Sequence, residues 1–133
     1  MLTGVHSVIY ADDPETARAF FRDVVGWPFV DAHGGWLIFR SGPSEVGVHP
    51  TRGVLDSGED WSTPQHHELC LLCDDLEATI ADLRGKGAAF SGEVKDEGFG
   101  RTIMLSVPGA GEIMVYQPKH DTAYGLPPGG SDE

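Results

Sequence analysis

A chain of 133 residues with 21 acidic and 9 basic side chains carries a net charge of -12. That balance repels nucleic acid and anionic membrane surfaces unless the few cations cluster tightly, and neither is expected as a partner; neutral or cationic small molecules are favoured. The length suits one domain burying roughly two-thirds of its unfolded surface. No apolar run is long enough to cross a bilayer, and MLTGVHSVIYADD lacks the pattern of a secretory signal, so a cytoplasmic protein is expected.

The opening segment GVHSVIYADD alternates and is β-branched, which predicts a strand. Asp13 then supplies a helix cap with Pro14 at the first helical position. Ala17, Phe20, Phe21, Val24 and Val25 share one helical stripe, and Gly26 ends the helix. PFVDAHGGWLIFR predicts two short strands around Gly34 and Gly35, and SEVGVHP a further strand after Gly42 and Pro43. Residues 51–65, TRGVLDSGEDWSTPQ, hold no periodic pattern and are expected to be a linker.

The same order then begins again. HHELCLLCDD predicts a strand, Asp75 caps a helix with Leu76, Ile80 and Leu83 facing inward, and Gly85 and Gly87 end it. GAAFSGEV, FGRTIMLSV and GEIMVYQP complete the set, with a turn at Pro108 and Gly109. Cys70 and Cys73 stand at C-x-x-C spacing, but in an extended strand they point to opposite faces, so redox pairing is not expected. The same alternation separates His67 from His66 and Glu68. The tail KHDTAYGLPPGGSDE, residues 119–133, is Pro/Gly-rich and expected to be mobile, above all beyond Tyr124.

YADDPETA aligns with LCDDLEAT at an offset of 62, and GPSEVGVHP with GAGEIMVYQP, which places Glu45 opposite Glu112. The chain therefore divides into repeat one at residues 4–50, the linker 51–65, repeat two at 66–118, and the tail. The fold class is α+β: two tandem βαβββ repeats forming a curved mixed sheet around a shared cavity.

This repeat, carried by HSVIYADDPETARAFFRDVVGW in the first copy and by DDLEATIADLRGKGA, GFGR and EIMVYQP in the second, resembles the vicinal oxygen chelate superfamily. That superfamily includes glyoxalase I, extradiol dioxygenases, and fosfomycin- and bleomycin-resistance proteins. The resemblance implies metal ligands on the first and fourth strands of each repeat. The position seven residues before Asp13 is His6, and the position seven before Asp75 is Glu68, although a shift of one would choose His67. The matching fourth-strand positions carry Gly47 and Met114, neither of them a hard ligand. His49, two residues past Gly47 on the same strand face, has room to lean inward. The expected metal set is thus His6, His49 and Glu68, with Glu45 and Glu112 as fallback ligands, for a divalent ion such as Fe, Mn, Ni or Zn.

Tyr116, opposite His49 in the repeat, is a candidate catalytic donor to a substrate oxygen or a core residue. Arg101 is a candidate for an anionic substrate group or for a surface acid. Met114, Trp36 and Phe99 are candidate substrate-binding side chains, Trp61 could also line a cavity, and Trp27 is expected to be structural. What the resemblance implies is a homodimer acting on a small organic molecule, as a metal-assisted lyase, isomerase or dioxygenase. The other reading is a metal-free drug- or metabolite-binding protein of the bleomycin-resistance type, which suits the empty positions at Gly47 and Met114.

Overall fold

The computed structural model describes residues 4–127. Helix α1, Pro14–Phe20, starts where the sequence places it. The Asp13 side chain accepts the Thr16 N–H, and Pro14 occupies the first turn, where no intrahelical donor is missed. The helix does not run regularly to Gly26. It passes into a π-helical turn, Phe21–Val25, in which Phe21 O accepts from both Gly26 N–H and Trp27 N–H. Gly26 closes it at φ 83, a left-handed conformation that suits glycine.

Strands β1, Phe29–Asp31, and β2, Leu37–Phe39, form the expected antiparallel hairpin. The expected linker holds a second hairpin, β3 (Arg52–Val54) with β4 (Asp60–Ser62), in which the Trp61 ring lies against Gly53. Its turn is closed by Leu55 N–H to Glu59 O and Gly58 N–H to Leu55 O, each at 2.8 Å. Strands of three residues are too short to show alternation, and only the Asp56-Ser57-Gly58 turn betrays them.

Two expected strands of the first repeat are not formed. Residues 4–11 and 44–50 carry no strand pairing, and Val5, Val8, Tyr10, Val46 and Val48 are exposed. A strand exists only where a neighbour completes its hydrogen bonds, and the described chain supplies these two segments with none. The expected strand over HHELCLLCDD shrinks for the same reason to β5, Cys70–Leu72.

The second half builds a complete unit. Helix α2, Leu76–Gly85, is capped by Asp75, and β6 (Phe90–Asp96), β7 (Gly100–Val107) and β8 (Gly111–Pro118) follow. The sheet order is β5-β8-β7-β6, with β5 parallel to β8 and the other pairs antiparallel. The architecture is thus mixed α+β, with one full βαβββ unit and, from the first half, a helix and two hairpins.

Alternation along β7 and β8 decides which face is buried. Ile103, Leu105, Val107, Ile113 and Val115 join Ala17, Phe20 and Phe21 of the first half and Leu76 and Ile80 of α2 in one core. Each Val, Leu, Ile or Phe among them contributes about 1.5–3 kcal/mol when removed from water. Asp13 N–H donates to Gly109 O at 3.1 Å, and Leu76 N–H donates to Gln117 Oε1 at 2.8 Å, so both helix starts are tied to the β8 hairpin. Among the described residues the helices pack on this core side, and the opposite face of the sheet carries none. The expected cavity between repeats is therefore an open face.

Residues 119–126, counted with the tail, are held. Lys119 N–H donates to Phe99 O at 2.8 Å, Ala123 N–H to Glu45 Oε1 at 2.7 Å, and Leu126 N–H to Ala123 O at 3.0 Å. The remainder of the expected mobile tail, 128–133, lies outside the described residues.

Candidate functional site

The open face is built by residues of the other parity. Cys70 on β5 pairs with Met114 on β8, Met114 pairs with Met104 on β7, and Tyr116 pairs with Leu72 on one side and Thr102 on the other. All of these except Thr102 are half-buried. At one end Ser91 of β6 reaches across to Glu112 of β8, donating to Oε2 at 2.5 Å. At the other end the Phe99 ring meets the Tyr116 ring edge-on, with centroids 5.4 Å apart.

Three segments converge on Tyr116. His120, just beyond β8, brings Nε2 to 3.3 Å from the Tyr116 hydroxyl. Its Nδ1 lies 2.9 Å from Asp121 O, a carbonyl that can only accept, so Nδ1 carries the proton and Nε2 faces Tyr116 as acceptor. Glu45 approaches from the first half with its side chain only 17% exposed and Oε2 4.0 Å from His120 Nε2. Burial, then the negative charge of Glu45 and the nearby Cys70, push the Tyr116 phenol up from its ordinary value. The phenol keeps its proton and acts as a donor.

Burial also pushes Cys70 up, with Glu68 adding to it, and burial is the largest cause for Cys73 as well. Both thiols are free, and neither has the lowered pKa of a nucleophile. Cys73 packs against the core while Cys70 belongs to the open face, as alternation predicts.

Met114, Phe99 and Tyr116 are thus brought together. Arg101 is not with them. It pairs across the sheet with Gln117, on the helix side, and its guanidinium takes the Glu77 carboxylate with both terminal nitrogens, Nη1 to Oε1 at 2.6 Å. That ion pair is the surface-acid alternative, and it turns Arg101 away from Tyr116. Trp36 lies elsewhere too, exposed, with the Arg18 guanidinium 4.8 Å from its ring centroid. Trp27 stacks on Phe21 at 5.2 Å, the structural role expected of it.

The donors His6, His49 and Glu68 are not assembled into one site. His6 is exposed in the unpaired segment 4–11. His49 donates from Nδ1 to Pro50 O at 2.7 Å and lies against Trp61, with ring centroids 5.5 Å apart. Glu68 is exposed beside His66, whose Nε2 is 3.5 Å from Oε2. His66 is pushed up first by its bond to Pro64 O and then by Glu68. Among the described residues no three His, Cys, Asp or Glu side chains converge as a metal ion requires. Separated in this way, His6, His49 and Glu68 do not fit a divalent metal.

His120 and the placement of Glu45 were not anticipated as parts of a site around Tyr116. The spacing from Tyr116 to His120 could have suggested the first; nothing local could have suggested the second.

A family model described as Glyoxalase/Bleomycin resistance protein/Dioxygenase superfamily matches residues 4–116. Among solved structures, lactoylglutathione lyase from Agrobacterium tumefaciens is similar at a TM-score of 0.58 and 16% identity, covering 86% of this chain and 92% of that one. TnmS3, an antibiotic binding protein from Streptomyces sp. CB03234, is similar at 0.54 and 23% identity, covering 89% and 100%. UcmS2 is similar at 0.55 and 17% identity, covering 87% and 98%. At these identities the likeness is one of fold. No curated protein matches the chain.

Proposed function

This chain belongs to the glyoxalase/bleomycin resistance protein/dioxygenase superfamily, and we propose that within it the protein binds a small organic molecule on the open sheet face without using a metal. The observation that carries this reading is the make-up of that face. Met104, Met114, Cys70 and the Phe99 and Tyr116 rings offer a polarisable, adaptable surface suited to a flat apolar body. The Tyr116 hydroxyl adds a directional donor for an oxygen or nitrogen of the ligand.

The net charge of -12 favours a cationic ligand by long-range attraction. The fold likeness to an antibiotic binding protein supports the same reading. We extend the proposal to a homodimer: Val5, Val8, Tyr10, Val46 and Val48 lie exposed on segments without strand partners, which a second copy would pair and cover. Among the described residues no helix is long and apolar enough to cross a membrane, and a cytoplasmic setting belongs to the proposal.

The test is calorimetric titration with bleomycin-type glycopeptides and other cationic aromatic drugs. Saturable binding is expected, weakened roughly fivefold to tenfold by Met114→Ala. The opposite result is no binding, together with stoichiometric Fe, Mn, Ni or Zn in chelator-free protein that is lost in His6→Ala and Glu68→Ala. That outcome would restore a metal-assisted lyase, isomerase or dioxygenase.

A further inference from the structure

The segment after β8 does more than end the chain. Its first residue extends the sheet, Lys119 N–H donating to Phe99 O at 2.8 Å, and the Lys119 ammonium is held by Asp96 and by Glu97 O. His120 then sits on Tyr116, and Ala123 N–H donates to Glu45 Oε1 at 2.7 Å across a sequence separation of 78. The segment therefore crosses the Tyr116–Phe99 end of the open face and is tied to the first half of the chain at one carboxylate.

Glu45 is poorly matched by these partners. Its side chain is 17% exposed, yet its one hydrogen-bond donor is the Ala123 N–H; the His120 Nε2, 4.0 Å away, is beyond hydrogen-bond reach, and among the described residues no Lys or Arg pairs with it. A largely desolvated carboxylate gains much more from a full positive charge than from one neutral donor. Beside it stands the Tyr116 phenol, whose ring the Phe99 ring meets edge-on at 5.4 Å, while the His120 imidazole belongs to the segment that crosses them. Aromatic faces next to a carboxylate form a site for an organic ammonium, attracted by ring quadrupole and charge together.

We infer that residues 119–126 are a displaceable strap over this end of the face, and that the ammonium group of a ligand takes Glu45 from Ala123. This rests on the reading of the open face as a binding surface and adds to it the ligand class and the event that admits it. In the free protein the strap occupies Glu45; in the complex the cation does. The exchange makes ligand binding and strap release two sides of one equilibrium.

The probes are phenethylammonium and its neutral analogue phenethyl alcohol, followed by titration and by hydrogen exchange at the Ala123 amide. The ammonium is expected to bind about tenfold more tightly than the alcohol and to raise exchange at Ala123. In Glu45→Gln the amide oxygen still accepts the Ala123 N–H, so strap protection should survive while the preference for ammonium disappears. In His120→Ala, which leaves Glu45 in place, the strap is looser and ammonium affinity should rise. Equal affinity for both probes, or unchanged Ala123 exchange at saturating ammonium, overturns the strap exchange and leaves the binding face standing. No ammonium binding at millimolar concentration also overturns it, and the drug titration separately decides whether the face binds at all.

Discussion

The backbone N–H of Asp13, which opens the first helix, donates to the carbonyl of Gly109 in the last hairpin turn at 3.1 Å. A Cβ at Gly109 would lie 2.5 Å from the Asp13 carbonyl oxygen, and Gly109 has φ 79. Close approach and backbone conformation both require glycine there. Gly109→Ala should therefore cost roughly 2–3 kcal/mol of stability by chemical denaturation, through strain and loss of the helix anchor. Gly85→Ala, where a Cβ meets nothing within 4 Å and no positive φ is imposed, should cost nothing measurable. Equal losses at the two positions would break the link between Asp13 and Gly109.

Asp13 also sets an acid limit on stability. Its Oδ2 accepts the Thr16 hydroxyl at 2.6 Å and its Oδ1 the Thr16 N–H at 3.2 Å, and these bonds, the hydroxyl first, hold the carboxyl below the ordinary aspartate range. A carboxyl whose folded pKa is depressed stabilises fully above its unfolded pKa and loses that contribution as pH falls through the folded value. Thermal melts should show wild type losing more Tm on acidification through that window than Asp13→Asn, whose amide caps without titrating. Parallel pH dependence in the two proteins would count against this cap.

The two faces of the sheet give separable phenotypes. Tyr116→Phe removes a donor on the open face and should weaken binding of a recognised ligand roughly fivefold to tenfold, with the fold intact. Arg101→Ala breaks the ion pair to Glu77 on the helix face and should leave ligand affinity unchanged. Calorimetry on both variants reads the difference, and a loss of affinity in Arg101→Ala would mean that the guanidinium reaches the ligand.

Local chemistry was legible in the sequence, and long-range closure was not. Asp13, Pro14 and Asp75 mark helix starts by what their own atoms do within one turn, and Gly26 an end by its left-handed conformation, so those boundaries could be read directly. The strands at 4–11 and 44–50 carry the right alternation, but alternation records which faces a segment could present, not whether a neighbour is there to pair. Arg101 could have been placed by parity, since it shares a face with Ile103, Leu105 and Val107. That parity favours the surface-acid alternative, which the ion pair to Glu77 realises. His120 stands past Pro118 in a stretch whose composition reads as tail, and only the return of the chain to Glu45 makes it part of a site.

Cys70 reports on the open face directly, because it is a half-buried thiol paired with Met114. Burial and the charge of Glu68 push its pKa up, so at neutral pH it is less ionised than a free cysteine. In a Cys73→Ser background, iodoacetamide should alkylate Cys70 more slowly than a small free thiol at the same pH, with the rate rising to a higher pH before it levels. Alkylation places a carboxamidomethyl group beside Met114 and should block ligand binding, while bound ligand should protect the thiol. Fast, unprotected alkylation that leaves affinity unchanged would place the ligand off this face.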